Sequence, residues 1–533
     1  MKKLYLYTLI AISMNNVSAQ GLVDLTDTQL AEETGQALFN LSYIAPTDSA
    51  NLMNGKTIGG ASVGKIGFYK LGMEAEIELN ANIRKLQLGC GGRNGPENCD
   101  IEINNLALSG LPNGGTYNAA GAAQANGGYD DKGVPVYNSD GRAATSAKLV
   151  NPFMEFAIKN PDSASTREVL GFRASAEKIF GLLTAGIDNL NYASTTDGIQ
   201  NLSGFMRIAA TSGTVNTKEV LFGNRGDQQL GEYVTGVTGP AVPANNYNMN
   251  LDLSFLGTYK RIFTSQPGNA DNHGITVPAL YDVPFVIANE FQVNGNRQKG
   301  VAVKNIAVHI AEIPMGKVAL LNPDGTAQRD GSGNQLFTAS GAKNQLYVTF
   351  DPVLGIASKA KFQTADGSKV TDLNLDVTFQ QALSMIHNIP LTGNGGYLSL
   401  QNQALLWPGA YTAQNAGVTE LNNMTKSDVA QPGWWMSFAD PVQLGKLKAS
   451  ESVDISDALP QVADLVSLGL QNDPVQIGTM EGLATLVSTP IVKQLVIPLM
   501  DATTQYPAQI TLQNLKLQNQ NVTSNCYGTL KFC

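Results

Sequence analysis

Three short segments share one pattern of apolar and polar positions along the chain. They are Ile101–Leu108, Val301–Val308 and Ile510–Leu517, towards the start, middle and end. Each alternates apolar and polar residues, which is typical of a strand with one buried face and one wet face. After a shared Asn the apolar positions change parity. This change predicts a β-bulge or sharp bend, because Asn tolerates the backbone angles that a bulge residue needs.

Two further elements also recur. Asn250–Phe255 and Asn374–Phe379 are near-identical strand patterns, and Asp-Pro-Val occurs at Asp351, Asp440 and Asp473. In each strand pattern the apolar residues, ending in Phe, share one face. We interpret the recurrences as degenerate repetition, although their irregular spacing does not fit a solenoid of fixed period. Additional strands are predicted at Lys65–Leu71, Ala75–Leu79 and Ile83–Leu88.

Helical apolar spacing occurs in three places. These are Ser175–Leu183, Leu459–Leu468 and Met480–Met500. Pro490 and Pro498 interrupt the third segment, so we predict a kinked, packed segment there instead of a membrane span. The predicted fold class is therefore mainly β with minor α. We expect extended antiparallel or twisted β-sheets, sandwich-like or irregularly repeated, with a few short helices.

The first residues have the order of a secretory signal. Met1-Lys2-Lys3 is basic, Leu4–Met14 is apolar but too short to span a bilayer, and Val17-Ser18-Ala19 ends in small residues. This order predicts a cleavable signal peptide at residues 1–19 and a mature chain that begins at Gln20. The alternative interpretation is a buried N-terminal strand.

The four cysteines form two close pairs in the sequence, Cys90 with Cys99 and Cys526 with Cys533. In an exported protein an even number with local pairing predicts two small disulfide loops, although four cysteines allow three connectivities. Zinc is the alternative for Cys90 and Cys99. Their spacing is wider than usual for zinc ligands and no His lies nearby, so we favour disulfides.

The predicted organisation has four parts. Residues 1–19 are the signal peptide, and residues 20–111 form an N-terminal helical turn and a disulfide-stapled β region. Residues 112–147 are rich in Gly, Ala and Asn and poor in large apolar residues. We predict a long exposed loop there, because burial offsets little of its ordering entropy. Residues 148–533 form a β-rich body with helical insertions and a disulfide-closed C-terminal strand.

The chain is acidic and sparsely charged. Its formal net charge of −9 becomes −11 when two lysines, Lys2 and Lys3, leave with the signal, and 15% of its residues are charged. An acidic chain repels nucleic acid and anionic membrane surfaces, which argues against either as a partner. Low charge together with 54 glycines is typical of a β-rich extracellular surface.

Gly60-Ala61-Ser62-Val63-Gly64 fits the Gly-x-Ser-x-Gly pattern of a nucleophile elbow. An elbow requires an apolar strand before the Ser and a helix after it. Neither pattern is present, since polar Asn54–Thr57 precedes the motif and strand-like Gly67–Tyr69 follows it. The same segment resembles a P-loop, but Ile66 stands where a P-loop needs Ser or Thr for magnesium. We therefore favour a structural role for Ser62.

The remaining candidate residues are scattered. The three histidines and three isolated aspartates form no catalytic or zinc-binding pattern, and an Asp-x-Ser-x-Asn run lacks the Gly and closing carboxylate of a calcium loop. Of the adjacent tryptophans we expect at least one in the core, since strand neighbours face opposite sides; stacking on sugar rings is the alternative. We predict no catalytic, cofactor-binding or metal-binding residues. The histidines are His273, His309 and His387, and the isolated aspartates are Asp188, Asp252 and Asp376. The Asp-x-Ser-x-Asn run is Asp330, Ser332 and Asn334, and the tryptophans are Trp407 and the adjacent Trp434 and Trp435.

The segment Leu25–Ala37 follows the signal and reads Leu-Thr-Asp-Thr-Gln-Leu-Ala-Glu-Glu-Thr-Gly-Gln-Ala. The segment predicts a short helix with Asp27 or Thr26 as its N-cap and Gly35 as its C-cap. The segment resembles the N-terminal motif of Fil-type pilus-assembly proteins of Gram-negative bacteria. The resemblance covers about thirteen residues and implies a place at the cell surface or outer membrane, or in a pilus.

We therefore expect an exported structural or adhesive surface protein, associated with pilus or filament assembly and without enzymatic activity. Its expected partners are other pilus or surface subunits, assembly proteins, and a host surface or glycan. Exposed edge strands are the expected means of subunit pairing. One alternative is a secreted hydrolase that uses Ser62. Another is an outer-membrane β-barrel, although this chain ends Lys531-Phe532-Cys533 and has irregular stretches.

Overall fold

A computed structural model describes residues 39–91, 98–110, 146–187, 197–231, 247–341, 344–350, 359–413, 417–442, 444, 447–499 and 508–514 of the 533-residue chain. Within these residues the fold is mainly β, as predicted. The two α-helices of the described chain are α1 (Leu459–Asn472) and α2 (Thr479–Ala484). No helix in these ranges is long and apolar enough to cross a membrane.

In chain order the strands are β1 (Phe39–Ile44), β2 (Thr57–Ile58), β3 (Ala61–Ser62), β4 (Ile66–Met73), β5 (Glu76–Leu79), β6 (Ala81–Leu88), β7 (Ile101–Ser109), β8 (Ala147–Lys159), β9 (Glu168–Ala185), β10 (Gly198–Ile208), β11 (Thr211–Val215), β12 (Val220–Phe222), β13 (Met249–Leu253), β14 (Gly257–Arg261), β15 (Phe263–Ser265), β16 (Gly274–Val277), β17 (Val283–Ile287), β18 (Phe291–Gln298), β19 (Gly300–Pro314), β20 (Lys317–Ala319), β21 (Phe337–Ala339), β22 (Asn344–Phe350), β23 (Lys359–Thr364), β24 (Lys369–Ala382), β25 (Asn388–Thr392), β26 (Gly396–Gln401), β27 (Gly433–Phe438), β28 (Leu447–Lys448), β29 (Val475–Ile477), β30 (Ile491–Lys493), β31 (Val496–Pro498) and β32 (Ala508–Gln513).

The largest sheet has twelve strands. Nine of them follow the order β1-β4-β8-β9-β26-β27-β10-β7-β6, with β5 paired to β8, β18 to β10 and β25 to β9. The C-terminal end of β9 also pairs with β7, so that β7, β9, β26, β27 and β10 form a closed circuit of pairings. Strands from the predicted 20–111 region and the predicted 148–533 body therefore share one sheet.

The smaller sheets lie along the middle and C-terminal parts of the chain. Their orders are β17-β11-β28, β12-β16-β22-β23-β30 with β15 on β22, β14-β13-β29, and β19-β24-β31 with β32 on β24. β2 with β3 and β20 with β21 form two-stranded hairpins. Helix α1 packs its apolar side, including Val462 and Val466, into the core that these sheets share.

All parallel pairings among the described residues use the C-terminal part of the chain. β27 pairs with β10, β28 with β11, β29 with β13, β30 with β23, and both β31 and β32 with β24. Successive C-terminal strands therefore pair with successively later strands of the preceding chain. Such long-range parallel pairing is slow to form, because loop closure precedes the gain from contacts.

The repeated Asn adopts the unusual backbone conformation that the parity change predicts. Asn105, Asn305 and Asn514 have φ angles of 52°, 60° and 47°. In the pairing of β19 with β24 the register shifts between Val303 and Ile306, which is a β-bulge at the second copy. The predicted bulge is confirmed at the second copy, whereas β6 and β7 stay in register across Asn105. The third copy is described only as far as Asn514.

The other recurrences have mixed outcomes. Asn374–Phe379 lies within β24, where Leu375, Val377 and Phe379 are buried as expected. The companion prediction is wrong at Phe255: β13 ends at Leu253, and Phe255 lies in the following turn with 74% of its surface exposed. Asp351 lies outside the described residues. The valines after Asp440 and Asp473 both make parallel pairings.

Two of the three helix predictions need correction. Leu459–Leu468 lies in α1, as predicted. Ser175–Leu183 is part of the long strand β9, so the predicted helix there is wrong. Met480–Met500 is helical only at its start, because α2 ends at Ala484 and β30 and β31 follow after one 3₁₀ turn.

Several predicted features lie outside the described residues. These are the signal peptide, the segment Leu25–Ala37, the Cys526 and Cys533 pair, and the predicted 112–147 loop up to residue 145. At the end of that loop the predicted boundary shifts, because the buried residue Ala147 already begins β8.

A buried cluster covers one side of the twelve-stranded sheet. Phe68, Phe205, Trp407 and Trp435 are its large side chains, and none has measurable exposure. Chain segments 45–65, 402–413 and 417–432 supply the cover. The other side of the same sheet is covered only in part, and that side is the candidate functional surface.

Candidate interaction face

Two rows of apolar side chains cross six neighbouring strands, β1, β4, β8, β9, β26 and β27, on one side of the large sheet. We call the first the aliphatic row: Leu41, Leu71, Met154, Ala174, Leu398 and Met436. We call the second the aromatic row: Tyr43, Tyr69, Phe156, Phe172, Leu400 and Trp434. Together with Phe39 and Met73 they form the apolar face.

The rows arise from alternation within each strand combined with strand register. Residues two apart on a strand point to the same side, and directly paired residues on antiparallel neighbours share a side. Leu41 therefore stands beside Leu71, and Leu71 beside Met154. Because adjacent strands are about 4.8 Å apart, six strands make a surface about 24 Å wide.

The outer half of the apolar face is open to solvent. Leu41 is 71% exposed, Leu71 44% and Met154 46%. Towards β26 and β27 the face passes beneath other apolar residues. A groove of about 530 Å³ runs along the face from β1 and β4 to β27. Its lining includes Phe39, Met73, Leu398, Met436 and Phe438. An exposed, contiguous apolar surface of this kind marks an interaction site.

Ring contacts tie parts of the aromatic row together. The rings of Tyr43 and Tyr69 stack with centroids 4.4 Å apart, and Phe172 meets Trp434 edge-on at 6.1 Å. Burial raises the pKa of the Tyr43 phenol above its usual value, and the neighbouring Tyr69 raises it further. The Tyr43 phenol is therefore uncharged at neutral pH.

The opposite side of the same six strands carries a buried ion pair. Arg173 Nε donates to Glu155 Oε2 at 2.6 Å, and both side chains are more than nine-tenths buried. The Arg173 guanidinium also lies 5.3–5.4 Å from the ring centroids of Phe153, Tyr397 and Trp407. Burial raises the pKa of Glu155, while Arg173 opposes that rise.

Asp428 lies at the centre of a second buried polar network on that side. Its carboxylate accepts hydrogen bonds from Trp435 Nε1 at 2.9 Å, Tyr397 Oη at 2.8 Å and Ser437 Oγ at 2.6 Å. Burial raises the pKa of Asp428, against the effect of these donors. Both oxygens of Asp428 are hydrogen-bonded, and such satisfied networks hold the side chains that they join in one arrangement.

The Gly-rich segment around Ser62 holds a carboxylate of the chain itself. Gly59 N and Gly60 N donate to the two oxygens of Glu420 at 2.9 and 3.0 Å, and Thr57 Oγ1 donates at 3.0 Å. The Gly60 and Gly59 amides lower the pKa of Glu420. The resemblance to a P-loop thus reflects an anion-binding turn that an internal side chain fills.

Ser62 lies on the exposed hairpin strand β3, and no helix follows it. Its Oγ accepts a hydrogen bond from Gly64 N at 3.2 Å. Two histidines contact residues other than Ser62: His309 Nδ1 lies 2.8 Å from Asn374 Oδ1, and His387 Nδ1 lies 3.0 Å from Ala185 O. The third, His273, directly precedes β16. The described contacts therefore assemble no Ser-His pair at the predicted motif.

The acidic candidates are also dispersed. Asp252 lies on β13 and Asp376 on β24, in different sheets, and Asp188 lies outside the described residues. Asp330 accepts hydrogen bonds from Ser332 N, Asn334 N and Asn334 Nδ2, which close its own turn and lower its pKa. Across the described ranges no three His, Cys, Asp or Glu residues cluster as metal ligands.

Cys90 and Cys99 form a disulfide with an S–S distance of 2.01 Å, which joins the end of β6 to the start of β7. The adjacent tryptophans face opposite sides, as predicted: Trp435 is fully buried, and Trp434 belongs to the apolar face. Sequence reasoning missed the apolar face as a unit. Alternation marks its individual strands, but the pairing order that aligns them is not readable along the chain.

No protein-family model matches this chain, and neither a curated protein nor a solved structure matches it.

Proposed function

We propose that this chain is an exported, non-catalytic structural or adhesive protein of the Gram-negative cell surface that takes part in pilus or filament assembly. The observation that carries the proposal is the apolar face, of which the outer half is exposed. The signal-like N-terminus and the resemblance of Leu25–Ala37 to Fil-type proteins support export and the class of assembly.

The apolar face has the chemistry of a subunit contact. Its two rows contain no charged residue, so a partner buries it without leaving a charge unpaired. The buried Glu155–Arg173 pair and the Asp428 network hold the sheet from behind, which lowers the conformational cost of binding. The partners we propose are other surface or pilus subunits, or the proteins that assemble them.

The disulfide supports the proposed location. Disulfides such as Cys90–Cys99 persist in oxidising compartments and are rare in the cytosol of most bacteria. Glu420 of the same chain accepts the hydrogen bonds of the Gly59 and Gly60 amides, which supports a structural role for the segment that includes Ser62.

Fractionation of producing cells, combined with immunogold microscopy, tests this proposal. We expect the processed chain in the outer-membrane or extracellular fraction, with gold particles on surface filaments. Full-length precursor in the cytosol, with its cysteines reduced, would contradict the proposal. Turnover of a substrate that disappears in Ser62→Ala, with the fold retained, would contradict the non-catalytic assignment.

A further inference from the structure

We propose that two copies of this chain pair through the outer edge of β1, antiparallel and with Leu41 opposite Leu41 of the second copy. This inference rests on the proposed function, because β1 is the outer margin of the apolar face. It goes further by naming the partner as a second copy of the chain and by fixing the register.

The edge of β1 is open to another strand. β1 is the outermost strand on the path of the large sheet and pairs with β4; no other strand in the described ranges pairs with it. Phe39, Leu41 and Tyr43 are all exposed. The outer edge of a terminal strand offers N–H and C=O groups to an added strand, which is the basis of β-augmentation.

β1 lacks the residues that usually protect an edge strand from pairing with another chain. Its six residues, Phe39–Ile44, contain neither a charge nor a proline. β6, at the other end of the strand path, has Arg84 and Lys85, both exposed. Charged residues on an edge discourage pairing with another chain. The contrast identifies β1 as the edge suited to an uncharged strand.

The pattern of β1 selects both the partner and the register. Phe39, Leu41 and Tyr43 point to the apolar face, and Asn40 and Ser42 to the other side. A twofold pair centred on Leu41 places Phe39 opposite Tyr43 of the second copy and Leu41 opposite Leu41, so that apolar residues meet on one side. A centre between Leu41 and Ser42 brings apolar residues of one copy to the polar side of the other. A centre at Asn40 or Ser42 keeps the apolar residues on one side but leaves Tyr43 or Phe39, respectively, without one of these three residues opposite it.

Pairing in this register also joins the apolar faces. The aliphatic row of each copy ends at Leu41, so the pair makes one row that runs across both sheets. Pairing of β1 with β6 of another copy would instead set the apolar residues against Arg84 or Lys85. Because a six-residue edge buries less area than a standard interface, we expect a weak, reversible dimer.

Cysteine cross-linking tests the register. The full mature chain with Leu41→Cys is oxidised mildly, and non-reducing electrophoresis with peptide mapping identifies the bond. We expect a dimer joined through position 41. Asn40→Cys and Ser42→Cys, each alone, serve as matched controls and give no covalent dimer, because diagonal residues about 7–8 Å apart exceed disulfide reach. A mixture of the two controls cross-links, since positions 40 and 42 are directly opposed.

Sedimentation of the chain without added cysteines gives an independent test. We expect a concentration-dependent dimer that Leu41→Lys abolishes with unchanged circular dichroism, because two lysines then oppose each other. Absence of both the dimer and the Leu41→Cys cross-link overturns the inference. Cross-linking of Ser42→Cys alone as efficiently as Leu41→Cys also overturns it.

The two proposals fail separately. If the pairing is absent but the chain is exported and found on surface filaments, only the inference about β1 is wrong. If the chain dimerises through Leu41 but remains in the cytosol as precursor, the proposed function is wrong and the pairing stands.

Discussion

Asn305 and Asn514 border opposite edges of the same strand, β24, and both have positive φ angles, of 60° and 47°. Asn305 belongs to the bulge of antiparallel β19, and Asn514 directly follows parallel β32 and donates its N–H to Gln380 O at 2.9 Å. Two copies of one bent-strand sequence therefore border a common strand in opposite directions. The repetition serves local strand shape and not a stacked solenoid.

The backbone of Asn305 gives the first prediction. Its side chain is exposed, so substitutions there report mainly on the left-handed conformation. Asn305→Val should lower the free energy of unfolding by about 1–3 kcal/mol, because a β-branched residue is strained at positive φ. Asn305→Gly should leave it unchanged or raise it slightly. Urea unfolding measures both, with Lys304→Val, also exposed, as the neighbouring control; equal losses for Val and Gly would contradict this explanation.

The sequence allows prediction of features that depend on neighbouring residues. The positive φ angles of the repeated Asn follow from a change of parity, and α1 from a 3.6-residue period. The Ser175–Leu183 part of β9 has the apolar spacing of a helix, because Ile179, Phe180, Leu182 and Leu183 are all apolar. This part of β9 has neighbours on both edges and buried or half-buried residues on both faces, so alternation is lost and periodicity alone cannot distinguish strand from helix.

The apolar face was not predictable for a different reason. Leu41, Met154 and Leu398 lie in distant parts of the sequence, and the alternation of each strand says nothing about which strand it joins. Their alignment depends on the pairing order of β1, β4, β8, β9 and β26. One residue of slip in any pairing would turn that strand's apolar side chains to the opposite side.

The buried pair behind the face gives the second prediction. Glu155→Gln should lower the free energy of unfolding by about 3–5 kcal/mol, because it leaves the Arg173 charge buried without a carboxylate. Glu177→Gln, which removes the more exposed pair with Lys70 in the same sheet, should cost about 0–1 kcal/mol. Chemical denaturation of both variants checks the contrast. If both variants lose a similar free energy of unfolding, burial of the Glu155–Arg173 pair does not determine how much the pair stabilises the fold.

Glu420 gives a prediction about pH. Because its pKa is lowered in the folded chain, its stabilising contribution is present above the ordinary Glu pKa of 4.5 and is lost as the pH falls through the lowered value. Hydrogen-exchange protection of the Gly59 and Gly60 amides, corrected for intrinsic exchange, should fall in that window. Glu420→Gln should show weaker protection without this pH dependence. An unchanged profile in the variant would mean that Glu420 does not hold the turn.

The open half of the apolar face gives a prediction about dye binding. Leu71→Lys combined with Met154→Lys should reduce the fluorescence of bound Nile red, an uncharged apolar dye, because two charges enter the exposed aliphatic row. Surface substitutions of this kind should change the free energy of unfolding by about 0.5 kcal/mol or less each. Val286→Lys, at an exposed apolar position on β17, is the matched control and should leave dye binding near that of the unmodified chain.

The most direct test of the central claim is the number of gold-labelled molecules in surface filaments of cells that produce Leu71→Lys/Met154→Lys. The apolar face is proposed as the contact by which an exported chain enters an assembly, and burial of two unpaired lysines should lower incorporation about tenfold or more. The variant should still be exported and folded, and Val286→Lys should incorporate normally. Normal incorporation of the doubly substituted chain would contradict the account.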